Sequence, residues 1–409
     1  MSFADYFIAS GRGKSEGNIE QYRTVFIEQW LPDQSYEESY GVFGGNIYQR
    51  NLIVEQGIAR TFGKMGIIVL HNNDLLENDL KNILDCYPDL ERYYADTPMA
   101  FVNYEHRDYM PLLGMDENRA AEVIYPQVTS QSPMYLQQHI YASALRSYLK
   151  LLRYCKVPIT ISNLQKICRI DLNNFQMPDG VPEVEAKEIL ANLSQDQVMN
   201  QVRADVDGLA SQLRSRIWGG QENTGVSILT AIQNKALLSI QLPTFNEAVM
   251  DYLAAELNQV LETGMPCLLV IDSVNVEDSD MRRLMVNPGG RLSMILSGNT
   301  VQELCSVTNL GNELSVRFRK LILLQCANAG VAMQYSELIG NYMKKVITQT
   351  ENTNKGVFEL FGSRGRGTAI TEQQYARIRP EELANLGDGA VLIDQENSRI
   401  QYAEALKFE

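Results

Sequence analysis

Short, mostly apolar runs alternate with helical stretches along much of this chain, and this alternation constrains the fold more than any other feature of the sequence. Each run is five to eight residues long. The runs cover Gly66–Leu70, Ala236–Leu242, Pro266–Ser273, Ser293–Ser297, Lys320–Gln325 and Gly389–Ile393. Apolar runs of this length are typical of strands that are buried on both faces of a parallel sheet. The alternation therefore predicts an α/β fold with a mostly parallel sheet.

The middle of the chain has a different pattern, with consecutive helices and no strand signal. Its last stretch, Pro182–Ile217, carries alternating charges beside an apolar stripe, which is typical of an exposed amphipathic helix. The sequence therefore predicts three parts. Residues 1–74 form the N-terminal part of an α/β core that resembles a nucleotide-binding core, 75–215 an inserted all-helical domain, and 216–409 the C-terminal part of the core.

Composition makes DNA binding, a metal site and a membrane span less expected for this chain. The 50 Asp and Glu outnumber the 36 Lys and Arg and give a net charge of −14, so a DNA contact would need a local basic patch. Six cysteines without a CxxC pair and three widely separated histidines favour reduced thiols and no metal site. Since no run approaches 18 consecutive apolar residues, we expect a cytoplasmic protein without a membrane span of its own.

The first candidate site follows the strand signal that ends at Phe43. The run from Gly44 to Asn51 has the length of a phosphate-binding loop and leads into a helix. The candidate nucleotide-binding positions in it are Gly44, Gly45, Asn46, Gln49, Arg50 and Asn51. Gln49 stands where a second glycine would let the backbone approach phosphate, Arg50 replaces the lysine, and Asn51 replaces the hydroxyl that would hold Mg²⁺.

The second candidate is Asp272, at the end of the apolar run that begins at Cys267. A carboxylate in this position is the Walker B arrangement, in which it orients a metal ion and the following Glu polarises water. Ser273 stands in place of that Glu, so a general base would have to come from Glu277 or Asp278. The alternative is that Asp272 caps the turn after the strand.

Further short motifs occur in a fixed order along the chain. They are Tyr109–Leu112, Leu268–Ser273, Arg291–Asn299, Gln302–Leu304, Arg379–Leu383 and Asp388–Ile393. Together with the two candidate sites, this order resembles the soluble part of the type IV secretion coupling proteins. These are the TraD/TraG/TrwB family of conjugative DNA-transfer ATPases, relatives of FtsK and HerA.

The resemblance implies a RecA-like P-loop NTPase core with an inserted all-α domain, and ATP with Mg²⁺ as ligands. It also implies a ring of subunits around single-stranded DNA, although the net negative charge of the chain disfavours DNA binding. Gly298 replaces the family's sensor Gln, and Asn299 beside it is the candidate sensor. The basic candidates for DNA or subunit contacts, or for solvated surface charge, are Arg282, Arg283, Arg317, Arg319, Lys320, Arg364 and Arg366. The last two lie in Glu351–Thr371, which we expect to be weakly structured with a flexible basic loop.

The substitutions at Gln49, Arg50, Asn51 and Ser273 lead to one expectation about function. They indicate a coupling-protein-like chain with a degenerate ATP site and an adaptor or assembly role. Its partners would be other type IV secretion or conjugation proteins, in homo- or hetero-oligomers, through which it would lie at the inner membrane. Two alternatives remain: an active DNA-translocating ATPase with an atypical phosphate loop, and a partner-binding protein on a relic ATPase fold.

Overall fold

The computed structural model describes most of the chain. The described residues are 19–31, 39–129, 138–171, 174–214, 216–219, 225–243, 247–276, 279–286, 291–304, 318, 320–326, 328–353, 364–394 and 399–407. The chain divides into two compact units. One is Met1–Gln29 with Arg319–Glu409, and the other is Trp30–Phe318.

The described strands and helices are numbered in chain order. The strands are β1 (Ile19–Phe26), β2 (Tyr40–Phe43), β3 (Gly66–His71), β4 (Met99–Val102), β5 (Leu237–Gln241), β6 (Cys267–Asp272), β7 (Leu292–Gly298), β8 (Lys320–Leu323), β9 (Asn341–Thr353), β10 (Arg364–Ala376), β11 (Ala390–Asp394) and β12 (Arg399–Lys407). The helices are α1 (Ile27–Trp30), α2 (Ile47–Thr61), α3 (Asp74–Lys81), α4 (Ile83–Cys86), α5 (Pro88–Tyr94), α6 (Glu117–Thr129), α7 (Gln138–Tyr154), α8 (Ile161–Ile167), α9 (Glu183–Asn192), α10 (Asp196–Arg214), α11 (Ile228–Gln233), α12 (Glu247–Leu261), α13 (Asp280–Val286), α14 (Val301–Leu304), α15 (Ala329–Ile339) and α16 (Pro380–Ala384).

The unit Trp30–Phe318 is built on a parallel sheet. Its described strands follow one another across the sheet in the order β2, β7, β6, β3, β5, β4, and every neighbouring pair is parallel. All residues of β2, β3, β6 and β7 are buried. This confirms the predicted α/β fold with a mostly parallel sheet, and the absence of polar alternation in these strands reflects their burial on both faces.

The register of this sheet brings the carboxyl ends of its central strands to one edge. Phe43 lies beside Gly298, Asp272 lies beside both Ser297 and His71, and His71 lies beside Gln241. In open α/β sheets, ligands bind at this edge. The candidate residues after β2 and at the end of β6 therefore belong to one region.

Helices dominate the stretch between β4 and β5. There α7 packs against α6, α8, α9 and α10, and the buried side chains of α7 include Leu145, Tyr148 and Leu152. One strand, β4, lies within residues 75–215, which the sequence predicts to be all-helical, and it pairs with β5. The domain boundaries at 74 and 215 stay a prediction.

In the other unit, β1 is parallel to β12, and β11 is antiparallel to both β12 and β8. A separate antiparallel pair joins β9 to β10 from Asn341 opposite Ala376 to Thr353 opposite Arg364. The predicted flexible loop over Glu351–Thr371 is therefore wrong for Glu351–Thr353 and Arg364–Thr371, because the cross-strand ladder pairs the backbone there. Residues 354–363 lie outside the described residues. Among the described helices, none combines the length and the apolar character needed to cross a bilayer.

Candidate functional site

A three-residue turn, Gly44–Asn46, connects β2 to α2. Both glycines have left-handed backbones, with φ of 88° at Gly44 and 63° at Gly45, which other residues adopt only with strain. The Gly44 N–H donates to the Gly298 carbonyl at 3.1 Å and fixes the turn to the end of β7. Since α2 begins at Ile47, the positions predicted to extend as a phosphate loop are already helical.

Asn46 is the N-cap of α2 and explains the presence of Gln49. The Asn46 Oδ1 accepts the backbone N–H of Gln49 at 2.9 Å, and the Gln49 Oε1 accepts the backbone N–H of Asn46 at 3.2 Å. This reciprocal pair is a capping box, which satisfies two backbone donors at the start of a helix. The two side chains therefore bond to the backbone of the turn itself.

The Arg50 side chain folds back onto the same turn. Its Nη1 donates to the carbonyl oxygens of Gly44 at 2.9 Å and Gly45 at 3.2 Å, and the residue is only 3% exposed. Burial lowers the pKa of Arg50, and the nearby carboxylates of Asp272 and Glu303 oppose that shift. The guanidinium thus serves as an internal cation that holds the turn.

Asn73 connects the ends of β3 and β6 to α2. Its Nδ2 donates to the Asn51 Oδ1 and to the Asp272 Oδ2, both at 2.9 Å. Its Oδ1 caps α3 by accepting the backbone N–H groups of Leu75 and Leu76 at 3.1 Å. Both the nitrogen and the oxygen of the Asn73 side-chain amide therefore form hydrogen bonds within the protein.

Asn51 continues this chain of hydrogen bonds. The Asn51 Nδ2 donates to the Asp79 Oδ2 at 2.9 Å, while its Oδ1 accepts from Asn73. The result is a continuous series from Asp272 through Asn73 and Asn51 to Asp79. In it each amide lies between two hydrogen-bond partners, an arrangement in which buried polar groups support one another.

His71, the last residue of β3, is fully buried below this series. Its Nδ1 accepts the backbone N–H of Asn73 at 3.2 Å, so its Nε2 carries the proton and donates to the Ser239 Oγ at 2.9 Å. Burial lowers the pKa of His71, although the Asp272 and Glu77 carboxylates oppose the shift. The imidazole is thus neutral and uses both nitrogens in structural hydrogen bonds.

Several predicted site residues lie elsewhere or have other partners. The backbone N–H and the Nδ2 of Asn299 donate to the Glu303 carboxylate at 2.8 and 2.7 Å, so both nitrogens bond to a residue of the following helix α14. Arg282 and Arg283 lie on α13, which packs against α12, and Arg283 pairs with Asp280 at 3.0 Å. Arg283 therefore has an acidic partner on its own helix.

The remaining predicted residues belong to the other unit or are not described. Arg364 and Arg366 lie in β10, opposite Thr353 and Glu351 of β9, and Lys320 begins β8. Arg317, Arg319, Glu277 and Asp278 lie outside the described residues. The predictions for DNA or subunit contacts by these arginines stay predictions.

The sequence analysis did not find two members of the site as functional partners, namely His71 and Asp79. A signal for His71 was present, because it is a polar residue at the end of a buried strand. Asp79 carried no such signal, since it lies on a helix outside the sheet. Within the part of the chain that the structure describes, no group of three or more His, Cys, Asp or Glu is arranged to hold a metal ion.

Comparison with known proteins gives a structural match without a sequence match. No family model and no curated protein matches the chain. Among solved structures, an unbound form of the bacterial conjugative coupling protein TrwB is 12% identical with a TM-score of 0.52, covering 100% of this chain and 92% of that chain. TrwB in complex with GDPNP and with ADPNP gives TM-scores of 0.51 at 12% and 13% identity, in each case over 98% of this chain and 92% of that chain.

The chain has the fold of the coupling protein TrwB. This confirms the predicted α/β fold with a mostly parallel sheet, and it confirms the resemblance to coupling proteins at the level of the fold. TrwB itself binds the nucleotide analogues GDPNP and ADPNP. At this identity the likeness concerns the fold, and function has to be argued from the residues of the site.

Proposed function

We propose that this chain is a coupling-protein-like component of a type IV secretion or conjugative DNA-transfer system, with a degenerate ATP site and an adaptor or assembly role. The observation that carries the proposal is the position of Arg50. Its buried guanidinium binds the carbonyl groups of Gly44 and Gly45 instead of facing outwards. A phosphate-binding lysine must point its charge at the ligand, so this cation is turned away from that task.

The donor set does not fit a nucleotide with Mg²⁺. The N–H of Gln49, which a phosphate could use at the start of a helix, bonds to the Asn46 side chain. Asn51 stands where a hydroxyl would hold Mg²⁺, and both ends of its amide are engaged by Asn73 and Asp79. Asp272 accepts a hydrogen bond from Asn73 at the carboxylate that would orient the metal. We therefore derive no hydrolytic step at this site.

The charge of the chain supports an adaptor more than a DNA-translocating motor. A net charge of −14 repels a polyanion unless basic side chains gather at one place. The described candidates Arg282 and Arg283 lie on a short helix, and Arg283 is paired with Asp280. Partner proteins of the secretion system, at the inner membrane, are accordingly the proposed binding partners.

Nucleotide binding is the first test. The full chain would be titrated with a fluorescent ATP analogue, with and without Mg²⁺, and the Arg50→Lys variant would be titrated beside it. We expect no saturable binding up to millimolar nucleotide in either protein. Saturable, Mg²⁺-dependent binding by the wild type would contradict the degenerate site and favour the active ATPase with an atypical loop.

The adaptor role needs a separate test in cells. Donor cells that depend on this chain would carry either the wild-type gene, a deletion, or the Asp272→Asn allele, which keeps an acceptor for Asn73. We expect the deletion to reduce conjugative transfer and the Asp272→Asn allele to transfer like the wild type. Loss of transfer by Asp272→Asn in a protein of normal abundance would instead indicate a catalytic carboxylate.

A further inference from the structure

The chain passes twice between the central sheet and helices α6–α10, and the two passages are joined to each other. The first passage is 107–110, and the second is 216–219 with 225–227. We call these residues the neck. Three backbone hydrogen bonds join the passages, from the N–H groups of Gly219 to the Arg107 carbonyl (2.7 Å), of Val226 to the Asp108 carbonyl (3.0 Å) and of Met110 to the Val226 carbonyl (2.9 Å). The chain therefore enters and leaves this group of helices through one paired segment.

The large side chains of the neck are packed away from water. Tyr109 is 0% exposed and Trp218 is 1% exposed. Leu112, two residues after the first passage, is also buried and has a left-handed backbone with φ of 68°. This conformation costs free energy in a residue other than glycine, and it persists only where the surrounding contacts hold it. The closed neck is therefore maintained by its contacts.

One carboxyl group of the core contacts both passages. Glu256 lies on α12, which connects β5 to β6, and it is fully buried. Its Oε2 accepts a hydrogen bond from the Tyr109 hydroxyl of the first passage at 2.5 Å. The backbone N–H of Ile228, the residue directly after the second passage, also faces this carboxyl. Glu256 therefore binds the neck to the core at the point where the passages meet.

The surroundings of Glu256 make these contacts depend on a proton. Burial raises the pKa of Glu256 to about 7, and the Tyr109 and Tyr252 hydroxyl groups and the Ile228 N–H lower it in part. Helices α6, α10, α11 and α13 pack against α12, and no charged side chain on their described residues shifts this pKa. In an opened neck the carboxyl would meet water and regain its ordinary pKa of 4.5. The proton therefore binds more tightly to the closed neck.

We propose that protonation of Glu256 closes the neck and that its ionisation allows the neck to open, so that helices α6–α10 can move on the sheet. The stability that the proton gives to the closed neck is complete below pH 4.5 and is lost as the pH rises through 7. Between these values the opening constant rises about tenfold per pH unit, and above them it is constant. The proposal rests on the contacts of the neck and does not depend on the proposed function.

Hydrogen exchange measured by mass spectrometry tests the proposal on the full chain. Peptides that cover 107–112 and 216–228 contain the paired amides of Met110, Gly219 and Val226. Dividing each exchange rate by the rate of an unprotected amide at the same pH gives the opening constant. We expect this constant to rise at least tenfold between pH 5.5 and 7.5 in the wild type, and to show no such rise in Glu256→Gln, whose side chain stays neutral.

Two references separate the neck from the rest of the unit. Glu247→Gln removes an exposed acidic group from the start of the same helix and should behave like the wild type. The neck amides should also exchange faster than those of the buried helix α7 at each pH. Equal opening constants with the same pH dependence in both regions would overturn the proposal, because Glu256 would then act on the unfolding of the whole unit.

The wild type and a second variant give the remaining decisions. An opening constant that does not change with pH in the wild type would overturn the proposal, as would a rise that survives in Glu256→Gln. Tyr109→Phe keeps the ring and removes the hydroxyl donor, so it should raise the opening constant of the neck about fivefold at pH 5.5. This variant decides the matter if circular dichroism shows that Glu256→Gln is unfolded, and unchanged neck exchange in Tyr109→Phe would contradict the role of Glu256.

Discussion

Two buried polar clusters in the unit Trp30–Phe318 place different hydrogen-bond donors beside their carboxylates. At the edge of the sheet, Asp272 and Asp79 each accept a hydrogen bond from an asparagine amide, and Arg50 lies nearby as a cation. On α12, Glu256 is fully buried and accepts a hydrogen bond from the Tyr109 hydroxyl at 2.5 Å. Burial raises the pKa of Glu256 to about 7.

The two clusters differ in the groups that surround each carboxyl. The donors to the carboxylates at the sheet edge are amides, which do not titrate near neutral pH. Burial raises the pKa of Glu256 although the Tyr109 and Tyr252 hydroxyl groups oppose the shift, so the contribution of this carboxyl to stability depends on pH. The cluster with amide donors lies at the candidate site, and the cluster around Glu256 lies between α12 and the segment of Tyr109.

The largest expected effect comes from Arg50→Ala. The substitution removes the donors to the Gly44 and Gly45 carbonyls and leaves Asp272 and Glu303 without their cation. Removing one partner from a buried charged group costs roughly 3–5 kcal/mol, and we expect about 3 kcal/mol lower free energy of unfolding in urea. Arg50→Lys is the control. It keeps the charge but not the planar pair of donors, so its free energy of unfolding should lie between those of the wild type and Arg50→Ala. Equal stability of Arg50→Ala and the wild type would show that the turn is held without this cation.

The second expected effect concerns pH and Glu256→Gln. Because the folded state raises the pKa of Glu256 to about 7, the stability that its proton provides is complete below the unfolded value near 4.5 and is lost as pH rises through 7. Glutamine stays neutral and its oxygen still accepts from Tyr109. We expect the variant to be more stable than the wild type at pH 8, by about 3 kcal/mol at most, with the difference shrinking towards pH 5.

Urea unfolding of both proteins at half-unit pH steps measures this difference directly. Subtracting the two curves removes the other titrating groups, including Glu55, whose pKa burial also raises to about 7. A difference that does not change between pH 5 and 8 would show that Glu256 is ionised in the folded protein throughout this range. The comparison between the two clusters would then fail.

The smallest expected effect is that of Asn46→Ala. It removes the side-chain cap from the Gln49 N–H and frees the Gln49 side chain, and N-cap losses of this type cost about 1 kcal/mol. Gln49→Ala removes only the returning half of the capping box and should cost less. Thermal unfolding by circular dichroism would detect both changes, and the reverse order of the two variants would show that the box is not the main stabilising contact at this helix start.

The sequence predicted the central sheet well because its strands are uniformly apolar. Tyr40–Phe43, Gly66–His71, Leu237–Gln241, Cys267–Asp272 and Leu292–Gly298 all fall on runs that the sequence indicates. It missed β4, a four-residue apolar strand at the end of the central sheet, and also β1, β9, β10 and β12, whose residues mix polar and apolar side chains. Such strands depend on packing against their neighbours, and an irregular mixture of side chains has no local period that would indicate a strand.

The sequence analysis named Asp272 and the run from Gly44 to Asn51 as two candidate sites. It did not predict the contacts of these residues. The direction of the Arg50 side chain could not be predicted, because it depends on two left-handed glycines that present their carbonyl groups to it. The link from Asn51 to Asp79 depends in turn on how α3 packs against α2.

The bond between Arg50 and the Gly44–Asn46 turn also affects how this protein responds to its surroundings. A turn that is held by a bound ligand gains stability with the concentration of that ligand, by RT ln(1 + [L]/Kd). Arg50 is covalently part of the chain, so its local concentration at the Gly44 and Gly45 carbonyls never changes. The stability that this contact gives to the turn therefore does not depend on the concentration of a ligand.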